Sequence, residues 1–139
     1  MKAYLDTSVI LRKLLGEAGA LKEWGDWDEG CTSELTRVES LRVLDRMRLQ
    51  GSLDDVEVAE KMQLLREILE TADLISLDST ILDRASQSYP TVVGASDAIH
   101  LASALRYLEH KKENLFFMTH DHRLGIAAQA LGFETRGLN

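Results

Sequence analysis

Ala3, Tyr4 and Leu5 make a short apolar run that stops at Asp6-Thr7-Ser8, three residue types that cap helices. Val9, Ile10, Leu11, Leu14 and Leu15 then recur at helical spacing, so the pattern predicts strand, turn, helix. A second helical stretch is expected from Ala18 to Trp27, with Trp24 and Trp27 on one side of it as a core or interface anchor. A short strand is expected from Gly30 to Thr32. Thr32 and Ser33 open a long helix to about Leu49, its apolar side built from Leu35, Val38, Leu41, Val43, Leu44, Met47 and Leu49, and Gly51 ends it. Asp54 starts the next long helix, to about Thr71, and a strand follows from Ala72 to Leu77. Asp78 to Ser88 reads as a short helix closed off by Pro90, the one proline. Ser96-Asp97 is expected to cap a strong helix carrying Ala98, Ile99, Leu101, Ala102, Ala104, Leu105 and Leu108. Leu115 to Thr119 reads as a buried strand ending at His120-Asp121, followed by a helix to Ala130, a stop at Gly132 and a final strand near Phe133 to Arg136. Strands separated by helices call for a parallel sheet covered on both faces. The expected fold is therefore one three-layer α/β/α domain over residues 1–139 with a short central parallel sheet.

Composition narrows the class. With 45% hydrophobic and 28% charged residues over 139 positions the chain is an ordinary globular sequence, able to bury one core. Its longest apolar run, Leu115 to Met118, falls far short of the ~18 residues a membrane span needs, and no cationic start with an apolar stretch opens the chain. A cytoplasmic protein is the expectation. The single cysteine, Cys31, has no partner for an internal disulfide and is expected to be a small buried residue.

A net charge of −7 argues against a polyanionic ligand, but the charge is unevenly spread. Between Leu53 and Asp78 eight acids face two bases, which leaves 14 bases against 15 acids elsewhere. If four of those acids hold cations, the balance outside the acidic segment is +3. The acidic helix itself is most simply a solvated face that could attract a basic partner segment.

In open parallel sheets ligands bind beyond the carboxyl ends of strands. Asp6 and Asp121 both fall there, Asp97 opens an apolar helix, and Glu39 lies about two turns into the long third helix at the edge of its apolar face. Four carboxylates could meet at one end of the sheet. Such a cluster repels itself, raises some of its own pKa values and welcomes a hard cation, for which carboxylate oxygens, water and phosphate suit Mg²⁺ or Mn²⁺. The competing reading is plain capping, which each aspartate could satisfy alone and to which Asp78, flanked by Ser79 and Thr80, is assigned. Glu39 resists it, because a carboxylate beside an apolar face wants a partner.

Four blocks carry a family resemblance: Tyr4-Leu5-Asp6-Thr7-Ser8-Val9-Ile10, the stretch with Thr36-Arg37-Val38-Glu39, the run Ser96 to Leu105, and Thr119-His120-Asp121-His122-Arg123-Leu124. In order and spacing they resemble PIN domains, most of all the VapC-type toxins of bacterial and archaeal toxin–antitoxin pairs, from Tyr4 to about Phe133. The resemblance implies an acidic quartet of Asp6, Glu39, Asp97 and Asp121, with Ser8 and Thr119 as polar helpers. Asp6 and Asp97 would be the principal Mg²⁺ ligands, and Glu39 and Asp121 would complete a second metal site or orient water. It implies an endoribonuclease cleaving RNA through metal-activated water, a cognate antitoxin protein bound in apolar grooves near the early helices, and a homodimer.

Other readings were weighed on the residues. His120, Asp121 and His122 lack the cysteine or second His pair of a zinc site. His100 is expected to be packed and hydrogen-bonded rather than a ligand. Arg12, Lys13 and Arg37 are candidate phosphate contacts. An aspartyl-phosphate phosphatase needs a second acid two residues after the first, where Ser8 stands, and the acid cluster and lysine of receiver domains are missing. Two alternatives stay open: a non-catalytic RNA- or protein-binding module of the same fold, against which stands the complete acidic set, and, behind it, a Mg²⁺-dependent phosphohydrolase acting on a small phosphorylated substrate.

Overall fold

The structure is a computed structural model describing residues 1–138. In chain order its elements are β1 (Lys2–Leu5), α1 (Thr7–Leu14), β2 (Glu29–Ser33), α2 (Glu34–Leu49), α3 (Asp55–Glu70), β3 (Asp73–Ile75), α4 (Ser79–Ala85), α5 (Ala95–Lys111), β4 (Leu115–Met118), α6 (His122–Ala130) and β5 (Glu134–Arg136). The strands form one sheet in the order β3-β2-β1-β4-β5, and each pairing is parallel.

The pleat sorts each strand's side chains between two cores. Ala3 and Leu5 of β1 and Met118 of β4 join Val9, Ile10, Leu14, Leu44, Leu65 and Ile68 beneath α1, α2 and α3. Tyr4 and Phe117, one residue out of phase, join Cys31, Ile81, Leu101, Ala104, Leu124 and Ala127 beneath α4, α5 and α6. The expected three-layer α/β/α architecture with a parallel sheet is what the chain adopts. From β1 the chain steps outward through β2 to β3 and then returns to lay β4 on β1's other side. The direction of winding therefore reverses between β1 and β4, where such folds open a crevice. Asp6 follows β1 directly and Asp121 begins the turn from β4 into α6.

Three local expectations are corrected. Residues 18–27 form turns, not a helix, because Gly16, Gly19 and Gly25 take left-handed backbone angles that a right-handed helix does not contain. Trp24 and Trp27 still meet, edge to face with ring centroids 5.4 Å apart, but through a turn rather than along a helical stripe. The cap of α5 is Gly94, which has no side chain to offer, so Ser96 and Asp97 lie inside the first turn. Helix α4 ends at Ala85, where the Ser86 hydroxyl bonds back to the Leu82 carbonyl, well before Pro90. The remaining boundaries fall within a few residues of expectation. Cys31 is fully buried, and burial pushes its thiol pKa up. Among the described residues no helix is long and apolar enough to cross a membrane.

Candidate active site

Asp6 ends β1 with extended backbone and turns into α1 as its N-cap. It is 3% exposed, yet its carboxylate is well supplied: Oδ1 accepts from the Ser8 hydroxyl at 2.6 Å and from the Val9 N–H at 3.3 Å, and Oδ2 accepts from the Thr119 hydroxyl at 2.9 Å. Each hydroxyl has one proton, and both go to Asp6, so the 3.4 Å approach of Ser8 to Thr119 is contact rather than a further bond. Their lone pairs face the next turn, where His120 N–H donates to Ser8 Oγ at 2.9 Å and Asp121 N–H to Thr119 Oγ1 at 3.0 Å. Ser8 and Thr119 thus lock the β1–α1 turn to the β4–α6 turn. One Oδ2 lone pair of Asp6 is left over.

Asp121 caps α6 with one oxygen, Oδ1 accepting from the Arg123 and Leu124 N–H groups at 2.9 and 3.2 Å. Glu39 is anchored by one oxygen as well: Oε1 accepts from the Thr7 hydroxyl at 2.8 Å and lies 2.7 Å from His100 Nε2. Asp97 lies in the first turn of α5 and is partly buried.

The four acids act on one another. Burial pushes the Asp97 carboxyl above its ordinary range, and the negative charges of Asp121, Asp6 and Glu39 push it further, against the opposing pull of His100. Burial likewise raises Asp6, with His100 and the bonds from Ser8, Thr119 and Val9 resisting. For Glu39 burial also acts upward, but the bond and charge of His100 and the Thr7 hydroxyl outweigh it, so its carboxyl lies below the usual value. Asp97 thus lies within electrostatic reach of acids from three other parts of the chain, Asp6, Glu39 and Asp121.

A family model described as PIN domain matches residues 3–129. The chain belongs to the PIN-domain family. Ribonuclease VapC47 of Mycobacterium tuberculosis is 31% identical over 139 residues, covering 95% of this chain and 93% of the relative. Ribonuclease VapC46 of the same species is 33% identical over 132 residues, covering 93% and 92%. The chain is thus a VapC-type PIN domain. Solved structures show the same fold: a toxin–antitoxin complex from Klebsiella pneumoniae (TM-score 0.61, 20% identity, 92% and 93% of the two chains) and FitAcB from Neisseria gonorrhoeae (0.63, 17%, 96% and 96%). VapBC-1 from nontypeable Haemophilus influenzae is similar too (0.58, 14%, 98% and 97%).

Among the described residues of this PIN domain, no three His, Cys, Asp or Glu side chains close into a ready-made metal cage. The donor set nevertheless fits a hard cation of the magnesium kind, which takes one or two carboxylates together with waters and substrate phosphate rather than an all-protein cage. Burial and then the neighbouring negative charges raise Asp97, and Asp6 retains a free lone pair. His120 Nδ1 lies 2.8 Å from the Gly137 carbonyl while its buried Nε2 has no hydrogen-bond partner, and His122 is exposed; among the described residues the two histidines do not group with Asp121 into a metal site. Arg37 is exposed and pairs with Glu34 at 3.1 Å. Arg12 and Lys13 lie in the last turn of α1, roughly 9 Å along the helix from Asp6 at 1.5 Å per residue. There Arg12 donates to the Gly19 carbonyl and Lys13 lies over the Trp24 ring.

Sequence reasoning missed Thr7 and Tyr4. Thr7 sits between two named site residues and donates to a third, and Tyr4 is a hydroxyl-bearing residue inside an otherwise apolar strand, reaching His100 Nδ1 at 2.7 Å. That lone polar atom in a buried run was the available signal.

Proposed function

We propose that this PIN domain is a metal-dependent endoribonuclease, the toxin of a toxin–antitoxin pair, acting in the cytoplasm on RNA. PIN-domain nucleases generally use divalent metals. The observation that carries the reading is the Asp97 carboxyl, raised first by burial and then by the charges of three acids from three other elements, against the pull of His100. A structural cap has no need of such a field, whereas a cation-holding site has it before loading.

Asp6 and Asp97 would hold Mg²⁺ or Mn²⁺, with Glu39 and Asp121 completing the negative wall. The cation would polarise the scissile phosphate and lower the pKa of a water, so that hydrolysis needs no 2′-hydroxyl. The chain's own residues prepare that chemistry. Ser8 and Thr119 fix Asp6 and favour its charged form against burial, Asp121 keeps one oxygen for its helix cap, and Glu39 is turned by His100 and Thr7. An antitoxin partner is supported by the toxin–antitoxin complex among the similar structures, and a homodimer is part of the same proposal. Purified Asp6→Asn and Asp97→Asn proteins, assayed on RNA with Mg²⁺, test the reading: each is expected to lose at least ~100-fold in cleavage rate, on the scale of a lost electrostatic stabiliser. Full activity in either would reject it.

A further inference from the structure

A chain of hydrogen bonds crosses the carboxyl edge of the sheet from one helical layer to the other. Tyr4 Oη lies 2.7 Å from His100 Nδ1, and His100 Nε2 lies 2.7 Å from Glu39 Oε1. Tyr4 is fully buried and His100 is 2% exposed, whereas the Glu39 side chain is 32% exposed. The proton positions follow from what each end can do. Glu39 is held ionised and can only accept, so Nε2 carries the hydrogen. Tyr4 Oη stands 2.7 Å from Nδ1, where its phenol proton can be donated to the lone pair that the Nε2–H tautomer leaves on that nitrogen. In this arrangement both ring nitrogens and both neighbours are satisfied.

The terminal torsion of glutamate is soft and roughly two-fold, so a half-exposed Glu39 would ordinarily sweep over a wide arc. Here Oε1 receives both His100 Nε2–H and the Thr7 hydroxyl. Thr7 Oγ1 also lies 3.2 Å from Thr36 Oγ1, but its one proton goes to the nearer and charged acceptor, Glu39 Oε1 at 2.8 Å. Two donors on one oxygen fix the carboxylate plane and leave Oε2 to the crevice. If packing alone were at stake, an apolar side chain between Tyr4 and α2 would avoid burying a polar ring.

We propose that His100, held in its Nε2-protonated form by Tyr4, is the positioning residue of the site, setting Glu39 so that its second oxygen serves the bound divalent cation. This rests on the metal-dependent reading above and adds to it a residue that touches neither cation nor RNA. Outer partners of ligating carboxylates are typically worth 10–100-fold in metal affinity.

The test is direct titration of the protein with Mn²⁺, followed by calorimetry and electron paramagnetic resonance without RNA. His100→Leu is expected to bind Mn²⁺ 10–100-fold more weakly. His100→Gln, whose amide N–H can stand where Nε2–H stands, should stay within about threefold. Equal affinities for wild type and a folded His100→Leu would overturn the proposal, as would equal losses in both variants, which a merely structural role predicts. Should His100→Leu not fold, ¹⁵N spectra of the wild-type histidines decide, since an Nδ1-protonated His100 rules the relay out and an Nε2-protonated one supports it. A wild type that binds no Mn²⁺ at millimolar concentration overturns the metal-dependent reading itself, and this proposal with it. That result is distinct from one in which all three proteins bind alike.

Discussion

The Thr119 hydroxyl donates to Asp6 Oδ2 at 2.9 Å across a separation of 113 residues, and receives the Asp121 N–H at 3.0 Å on its other side. One fully buried side chain therefore sets the position of two acids on separate turns. Thr119→Val keeps the shape and removes the proton. A buried carboxylate that loses one of its donors costs about 1–3 kcal/mol, which urea unfolding would register, and the Asp6 carboxyl should rise further. Cleavage should fall with it, because the Asp121 turn is also released. Unchanged stability and activity would show that the hydroxyl is incidental.

Asp78 offers the matching control. It caps α4 by accepting from the Ile81 N–H at 3.0 Å, much as Asp6 and Asp121 cap their helices, but its two oxygens are clasped by Arg106 at 2.8 Å each. That clasp, with the cap bond, lowers its carboxyl to about 2. An acid already neutralised by its own arginine has no charge to spare for a cation. Asp78→Asn is expected to lower the melting temperature slightly and to leave RNA cleavage within about twofold, since surface substitutions remote from a site change little. A large loss of cleavage with the fold intact would place a further acid in the machinery.

Gly30 is under a steric demand that the strand pattern does not announce. A Cβ at this position would stand 2.8 Å from Trp27 Nε1 and 3.2 Å from its Cδ1, so the indole lies directly on the β2 backbone. Gly30→Ala must displace the ring or the strand, at about 1–3 kcal/mol for overpacking. Denaturation and tryptophan emission report on the same event, because Trp24 meets Trp27 edge to face and shares the displacement. Wild-type stability with unshifted emission would count against this packing.

These three positions show what the sequence could and could not convey. The strand–helix alternation and the apolar spacing of Val9, Ile10 and Leu14 or of Leu101 and Ala104 carry the architecture, because burial on one face of a helix leaves a periodic trace. Asp6 and Asp121 were legible at the ends of β1 and β4. Residues 18–27 were misread because helical spacing among apolar residues outweighed three glycines, each individually tolerable in a helix but here set at left-handed angles. The cap of α5 went to Gly94 because the backbone turns two residues before Ser96, the first of the side chains suited to capping. Thr7, Tyr4 and His100 act through bonds spanning 93 to 96 residues between β1–α1 and α5, and no local spacing encodes such a pairing.

The raised carboxyls also make a signed prediction about pH and metal. A carboxyl whose folded pKa is raised contributes stability that is present below its unfolded value of 3.8 and lost as pH rises through the folded value, since the unfolded chain then gives up its proton more easily. Asp97 is such a group, so in chelator Asp97→Asn should match wild type near pH 4 and be the more stable protein near pH 7. The margin should be on the order of 0.5 kcal/mol, modest because the group is partly in solvent. Millimolar Mg²⁺ should reverse the order. A cation needs these oxygens ionised, so its stabilisation of the wild type should grow as pH rises from the unfolded value of 3.8 through the raised folded value and be absent from Asp97→Asn. Thermal melts of both proteins, with and without the ion across that range, check each part. If Asp97→Asn shows the same Mg²⁺ response as wild type at every pH, the cation does not bind at Asp97.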